Sequence, residues 1–290
     1  MKSKTLTFAI GAGLLAVLAT PFSLAAQQTR YKLIDIGTLG ADEPAFTEEQ
    51  KIAFMQHAKV IDSKLEKKGK SNASHLTLSD GTVTYDASFQ PIDEKKAQGP
   101  GPNGGIELNF RDYWGFDIAG YRVAKLLGMD DMVPVYTERK WNGMAGAISW
   151  RVPNVQFDEA DRYTRKIPVP AELLDGWNKQ MYKVRVLDEL LYDMDPNLTN
   201  VLITKDWKIW RIDFTRAFRL QHDLKDPKDL VQCDRQVLAG LRQLTFEQVL
   251  ETTKPYLTKD QVKALLARRD KIVERFQRLI TEKGENEVLY

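Results

Sequence analysis

Two aspartates and an asparagine have the types and spacing for phosphoryl transfer. Asp195 opens the run Asp195-Pro-Asn-Leu-Thr-Asn200, and Asp213 closes the apolar run Trp210-Arg-Ile212 before Phe214-Thr-Arg-Ala-Phe218. In the Asp-x-x-x-x-Asn spacing, one Asp can accept the proton of an attacking hydroxyl. The Asn and the later Asp can then hold Mg²⁺ on the phosphates of a nucleotide. A carboxylate beside the incoming hydroxyl orients it, and hard oxygen donors suit Mg²⁺. The spacing alone is common by chance. Its weight comes from the long helical pattern before it, the short hairpin after it and the Ile-Asp-Phe strand end.

Plainer readings stand beside this one. Asp195 and Asn200 are also ordinary turn and cap residues. Asp213 ends an apolar strand, where a carboxylate needs a partner, and Arg216, three residues on, offers one. Asp193-Met-Asp195 also forms a D-x-D pair, the metal–nucleotide signature of glycosyltransferases, although that motif usually follows a strand. His57, His75 and His222 occur in unrelated contexts and build neither a metal triad nor a Ser-His-Asp set.

The elements that position these residues can be read from periodicity. Glu172 to Tyr192 is amphipathic at helical spacing, and Val201–Ile203 and Trp207–Ile212 read as two short strands around Lys205-Asp206. Upstream, Glu48–Leu65 has apolar residues at near-helical period. Leu76–Leu78 and Thr82–Phe89 read as strands around Asp80-Gly81. Gln98-Gly-Pro-Gly-Pro-Asn-Gly-Gly105 reads as a flexible surface connection, with a lid as the alternative. Arg111–Leu127 reads as a helix ending at Gly128. Met132–Arg139 and Ala147–Val152 form a hairpin around Asn142-Gly143, and Phe246–Ile280 is helical again. Trp141, Trp150, Trp207 and Trp210 are expected in packing, Cys233 as a small buried residue, and Arg268-Arg-Asp-Lys271 on a solvated helix face. No internal repeat is evident.

Composition bounds the class. The 290 residues are 43% hydrophobic and 28% charged, which excludes disordered, collagenous and coiled-coil chains. Residues 1–26 hold two of the 42 basic residues and no acid, so the rest carries 40 of each sign. That balance argues against a nucleic-acid binder. One cysteine, Cys233, excludes an internal disulfide framework and a cysteine-rich zinc site. Lys2 and Lys4, the apolar run Phe8–Leu18, Pro21 and the small residues to Ala26 have the form of a secretory signal peptide. No later segment is apolar enough to span a membrane. A periplasmic or secreted protein is expected, divided into a signal peptide (1–26), a helical extension (27–75), a strand-rich lobe (76–153) and a helical lobe (154–290).

These motifs together resemble a known family. Ile118-Ala-Gly-Tyr-Arg-Val-Ala-Lys-Leu-Leu-Gly128, Met132-Val-Pro-Val, Glu138-Arg-Lys-Trp-Asn-Gly143, Asp195–Asn200 and Ile212–Phe218 look like exported bacterial kinase-like proteins. These are similar to HipA-like kinases, phosphatidylinositol 3-/4-kinase-like domains and the secretory-pathway kinases of animals. The resemblance covers roughly residues 75–290. It implies an α+β, two-lobed kinase-like fold, ATP in the cleft, Mg²⁺, and phosphoryl transfer to a hydroxyl on a protein, lipid or sugar. It makes Asp195 the base, Asn200 and Asp213 the metal ligands, and Ala147–Val152 the interlobe hinge. The chain departs from the pattern at three places. The strand position of the phosphate-gripping Lys falls on Gln90, with Lys95 and Lys96 nearby. The helix carboxylate that pairs with that Lys falls on Asp117 or Glu107. Pro196 follows the base where relatives often have Arg. No Gly-rich phosphate loop precedes the first strands. A pseudokinase, binding nucleotide or partner without turnover, is therefore the alternative reading, with a metal-dependent glycosyltransferase behind it.

Overall fold

The computed structural model describes residues 43–66, 73–101 and 105–290. The signal-peptide segment lies outside them. Among the described residues, no helix is long and apolar enough to cross a membrane.

The first half is built on an antiparallel sheet. Helix α1 (Glu48–His57) starts at a capping box, with Thr47 and Gln50 each satisfying the other's backbone N–H. Strands β1 (Lys59–Leu65), β2 (Ser74–Ser79), β3 (Thr84–Gln90), β6 (Tyr136–Trp141) and β7 (Met144–Trp150) pair in the order β1-β2-β3-β7-β6. In β2 and β3 alternate residues turn inward, so Leu76, Leu78, Tyr85, Ala87 and Phe89 meet Phe54, Met55, Ile148 and Trp150 in a small core. Tyr85 stacks on Trp150 at 4.2 Å. The turns at Gly81 and at Asn142-Gly143 have the positive φ that tight hairpins demand.

The helical period read through Glu48–Leu65 breaks at Ala58, whose φ,ψ of −61°, 145° is extended. Arg139 of β6 donates to Ala58 O at 2.7 Å and closes the helix end. The chain then becomes an edge strand carrying the β-branched Val60 and Ile61. Ile61 and Leu65, placed on the apolar face of a helix by the sequence reading, are 54% and 66% exposed. Residues 59–65 thus join the sheet and α1 packs on it through Phe54 and Met55, instead of the two forming one separate helix.

A second correction falls nearer the chemistry. Strands β4 (Asp93–Pro100) and β5 (Ile106–Tyr113) form a two-stranded hairpin apart from the main sheet. The helix expected from Arg111 begins only at Gly115, and α2 spans Gly115–Leu126. Arg111–Tyr113 are held in the strand because they pair with Asp93–Lys95. Tyr113 N–H also donates to Thr215 O at 2.9 Å, across to the second half. The helix ends as expected at Gly128, with φ 68°.

The second half is helical: α3 (Glu159–Thr164), α4 (Leu174–Leu191), α5 (Arg235–Gln243), α6 (Phe246–Thr253), α7 (Lys259–Lys283) and α8 (Glu285–Val288), with a small sheet of β8 (Val155–Asp158), β9 (Val201–Thr204) and β10 (Ile209–Arg211) in the order β10-β9-β8. Its core, which includes Val184, Leu187, Leu190, Val262, Leu265, Ile272 and Phe276, continues into α2 through Ile118, Val123 and Leu127. Cys233 is buried there, and its thiol is pushed up to about 12 by burial. Arg268, expected on a solvated face, is instead wholly buried. It donates to the carbonyls of Leu190, Arg219 and Gln221, which explains how a cation is tolerated inside.

Candidate functional site

Helix α4 ends in the left-handed residue Tyr192, φ 50°, which turns the chain out of the helix and into Asp193 and Asp195. Asp193 is buried, and its Oδ1 accepts the N–H of Asp195 at 2.9 Å. Asp195 itself is exposed, and among the described residues no side chain engages its carboxylate. Its carbonyl accepts from Asn197 N–H at 2.7 Å and from Asn200 Nδ2 at 3.4 Å, so the loop folds back on itself.

The β9–β10 hairpin brings the third residue in. Arg211 faces Val201 across the pair, and Ile212 N–H donates to Asn200 O at 3.0 Å. Asp213, next along, therefore lies beside Asn200. Asp213 adopts φ 61°, a conformation uncommon outside glycine, and its N–H donates to Tyr136 Oη at 3.3 Å. Its Oδ1 accepts Thr215 Oγ1 at 2.9 Å and Thr215 N–H at 3.3 Å. Burial raises the Asp213 carboxyl above the usual range, against the pull of those bonds. Asp195, Asn200 and Asp213 are thus brought together by local backbone geometry.

One guanidinium links the segments that carry Asp195 and Asp213. Arg211 is 1% exposed, with Nε on Asp188 Oδ1 at 3.0 Å and Nη2 on Asp193 Oδ2, while Nη1 reaches the carbonyls of Ile212 and Asp213. Burial works against its charge, but Asp188 and Asp193 outweigh burial and lift its pKa above the ordinary Arg value. Burial also pushes Asp188 up, to about 6, despite Arg211. Both Asp193 oxygens are committed, one to Asp195 N–H and one to Arg211. The D-x-D pair is therefore not a pair of free metal ligands.

On the side of α2 and β3 the arrangement differs. Asp117 lies on α2, 2% exposed, and accepts Phe214 N–H at 2.6 Å. Burial holds its carboxyl well above the carboxylate range, and the nearby Asp213 adds to the shift. Gly120, one turn on, lets Phe214 pack against the helix. A Cβ there would stand 2.7 Å from the ring. Gln90, at the end of β3, is buried, and its Oε1 accepts Ile92 N–H at 3.4 Å. Lys95 and Lys96 are exposed on β4, and Lys96 pairs with Glu94 at 2.6 Å.

Glu107 is on strand β5 and not on a helix. Its buried carboxylate pairs with Arg219 at 2.5 Å and with Arg216. Arg216 also donates to Pro100 O at 2.7 Å, and Arg219 to Arg111 O at 2.6 Å. The β4–β5 hairpin is thereby strapped to the segment following Asp213. Arg216, offered by the sequence as a partner for Asp213, is paired with Glu107 instead. The β7–β8 connection at 151–154 is partly committed too. Arg151 N–H donates to Asp86 O at 3.2 Å, and Arg151 O accepts Tyr85 Oη at 3.0 Å. Clefts of about 880 and 840 Å³ lie elsewhere, between α5 and α7 and beside α1, and contain none of these residues.

Among the described residues, no three His, Cys, Asp or Glu side chains converge on a preformed cation site. The donor set does suit a cation shared with a phosphate. Asp213 Oδ2 and Asn200 Oδ1 accept none of the described hydrogen bonds. These are hard oxygens, the type Mg²⁺ and Mn²⁺ take, with substrate phosphate completing the shell.

No family model matches the chain, and no curated protein matches it. Solved structures do match, and with the sheet order described here they show a kinase-like fold: an antiparallel strand-rich part and a helical part. In particular, the chain is similar to hydra Fam20 solved with sugar, at 13% identity and TM-score 0.62 over 91% of this chain and 98% of that one. It is also similar to a Golgi casein kinase solved with Mn/ADP bound, at 14% identity and TM-score 0.61 over 83% and 78%. At such identity the likeness is one of fold.

Sequence reasoning took Asp193 only as half of a D-x-D pair, and missed Arg211 and Tyr136. The Asp193 and Arg211 positions carry a faint signal, an Asp two residues before Asp195 and an Arg inside an apolar strand. Tyr136 carries none, since its contact to Asp213 spans 77 residues.

Proposed function

We propose that this protein transfers a phosphoryl group from ATP to a hydroxyl, with a divalent cation held by Asp213 and Asn200. The observation that supports it best is the convergence of Asp195, Asn200 and Asp213 with the Asp195 carboxylate, Asp213 Oδ2 and Asn200 Oδ1 left uncommitted. A cation there would draw the nucleotide phosphates into line and offset the charge that builds in the transition state. Asp195 accepts the proton of the acceptor hydroxyl as its oxygen bonds to the γ-phosphorus. The bond from that phosphorus to the bridging oxygen breaks, and ADP leaves. Pro196 removes one N–H from the base loop without touching the carboxylate. The apolar Phe8–Leu18 run supports export, and a strand-rich lobe ending at 153 is the natural division.

The test is a calorimetric titration of the protein with ATP and Mn²⁺ or Mg²⁺, beside Asp213→Ala. Cation-dependent ATP binding is expected in the wild type. It should weaken on the order of 100-fold in the variant, with the thermal unfolding midpoint retained. Equal binding in both would sink the metal assignment.

One observation favours a second reading. Gln90 supplies no charge where the resemblance calls for Lys, and a centre lacking that cation forgoes electrostatic stabilisation of transferring phosphate. A nucleotide-binding module without turnover would bind ATP in the same titration and show no ADP after prolonged incubation.

A further inference from the structure

Arg211 is placed to act on both chemistry-bearing segments at once. Through Asp193, whose other oxygen accepts the Asp195 N–H, it bears on the base loop. Through the carbonyls of Ile212 and Asp213 it bears on the metal side. Through Asp188 it is anchored to α4. The side chain also lies over the Phe214 ring, 5.0 Å from its centroid. Its partners lie in four directions, which the planar five-donor guanidinium can satisfy and a three-donor ammonium cannot. Stability alone explains this poorly, because well-packed apolar groups usually serve a buried site as well as a buried ion pair or better. The other side of the site has Gln90 where a cation is expected.

We propose that Arg211 is the positioning residue of this centre, a buried cation that registers the Asp195 loop against the Asp213 segment so that base and cation site keep one geometry. This rests on the phosphotransfer reading above. Asp193 is its relay: Asp193 holds Asp195 by the backbone and leaves that side chain free to meet an acceptor.

The experiment compares wild type, Arg211→Lys and Asp193→Asn by Mn²⁺–ATP calorimetry and by amide hydrogen exchange without ligand. Arg211→Lys keeps the charge and loses the fork, so Mn²⁺–ATP affinity should fall about tenfold or more. Exchange should quicken at residues 193–200 and 213–215 while α7 keeps its protection. Asp193→Asn should quicken exchange at 193–200 with a smaller loss of affinity, and it decides the matter should Arg211→Lys fail to fold. Unchanged affinity and exchange in folded variants would overturn the positioning role and leave the phosphotransfer reading standing. Faster exchange spread evenly through α7 would overturn it as well, reducing Arg211 to a packing residue. A wild type that binds no Mn²⁺–ATP would overturn the underlying reading, and the role with it.

Discussion

The two sides of the candidate site are built on different principles. The side from the helical half places Asp195, Asn200 and Asp213 by short-range backbone bonds, with one buried Arg linking the segments. The other side offers Gln90, an amide, and Asp117, an acid that accepts the Phe214 N–H. One side carries the groups proposed for cation and proton chemistry. The other holds the first in place. The contrast teaches that a site can keep its chemical half while its electrostatic half is rebuilt, and that fold likeness at 13–14% identity is compatible with both.

The strongest blow to this comparison is Glu107→Gln. It would leave Arg216 and Arg219 with a neutral partner at the strap, and breaking such a buried pairing costs about 3–5 kcal/mol. Urea unfolding should show that loss. A change below about 1 kcal/mol would mean that the strap contributes no more than a surface pair. Gly120→Ala should cost about 1–3 kcal/mol by driving a methyl into Phe214, read from the same curves. No loss would mean that α2 and Phe214 part freely. Gln90→Lys sharpens the contrast by returning a cation to the weaker side. ATP hydrolysis is expected to rise about tenfold, as for one added charge-assisted contact, and a flat response would show that the loss of the Lys was not limiting. Ile106→Ser with Leu108→Ser should shift stability by less than about 0.5 kcal/mol, because both side chains are already exposed. A larger drop would reveal hidden packing under the hairpin.

Legibility in the sequence followed the range of the interactions. Helix α4, the Asp195–Asn200 loop, the β9–β10 hairpin and Asp213 were all readable, because each is set by residues within a few positions. So were the turns at Gly81, Gly128 and Gly143, where backbone sterics leave little choice. The β4–β5 hairpin was not. Its strands, Asp93-Glu-Lys-Lys-Ala-Gln and Ile106-Glu-Leu-Asn, lack a buried apolar face, and its anchors are Arg216 and Arg219, more than a hundred residues on. Buried Arg268 and Arg211 were equally hidden. A charged side chain reads as surface until the carbonyls and carboxylates that receive it are known. Glu107, read as a cofactor-side carboxylate, is committed to the two arginines for the same reason.

The strap has a consequence for how the chain is made. Glu107 and Arg219 are separated by 112 residues, so the loop that their pairing closes spans over a third of the sequence. A chain emerging N-terminus first has its sheet and hairpin available well before the arginines exist. Contacts between such distant residues close slowly. The carboxylate of Glu107 must wait in water meanwhile, and the strap can close only after Arg219 has emerged.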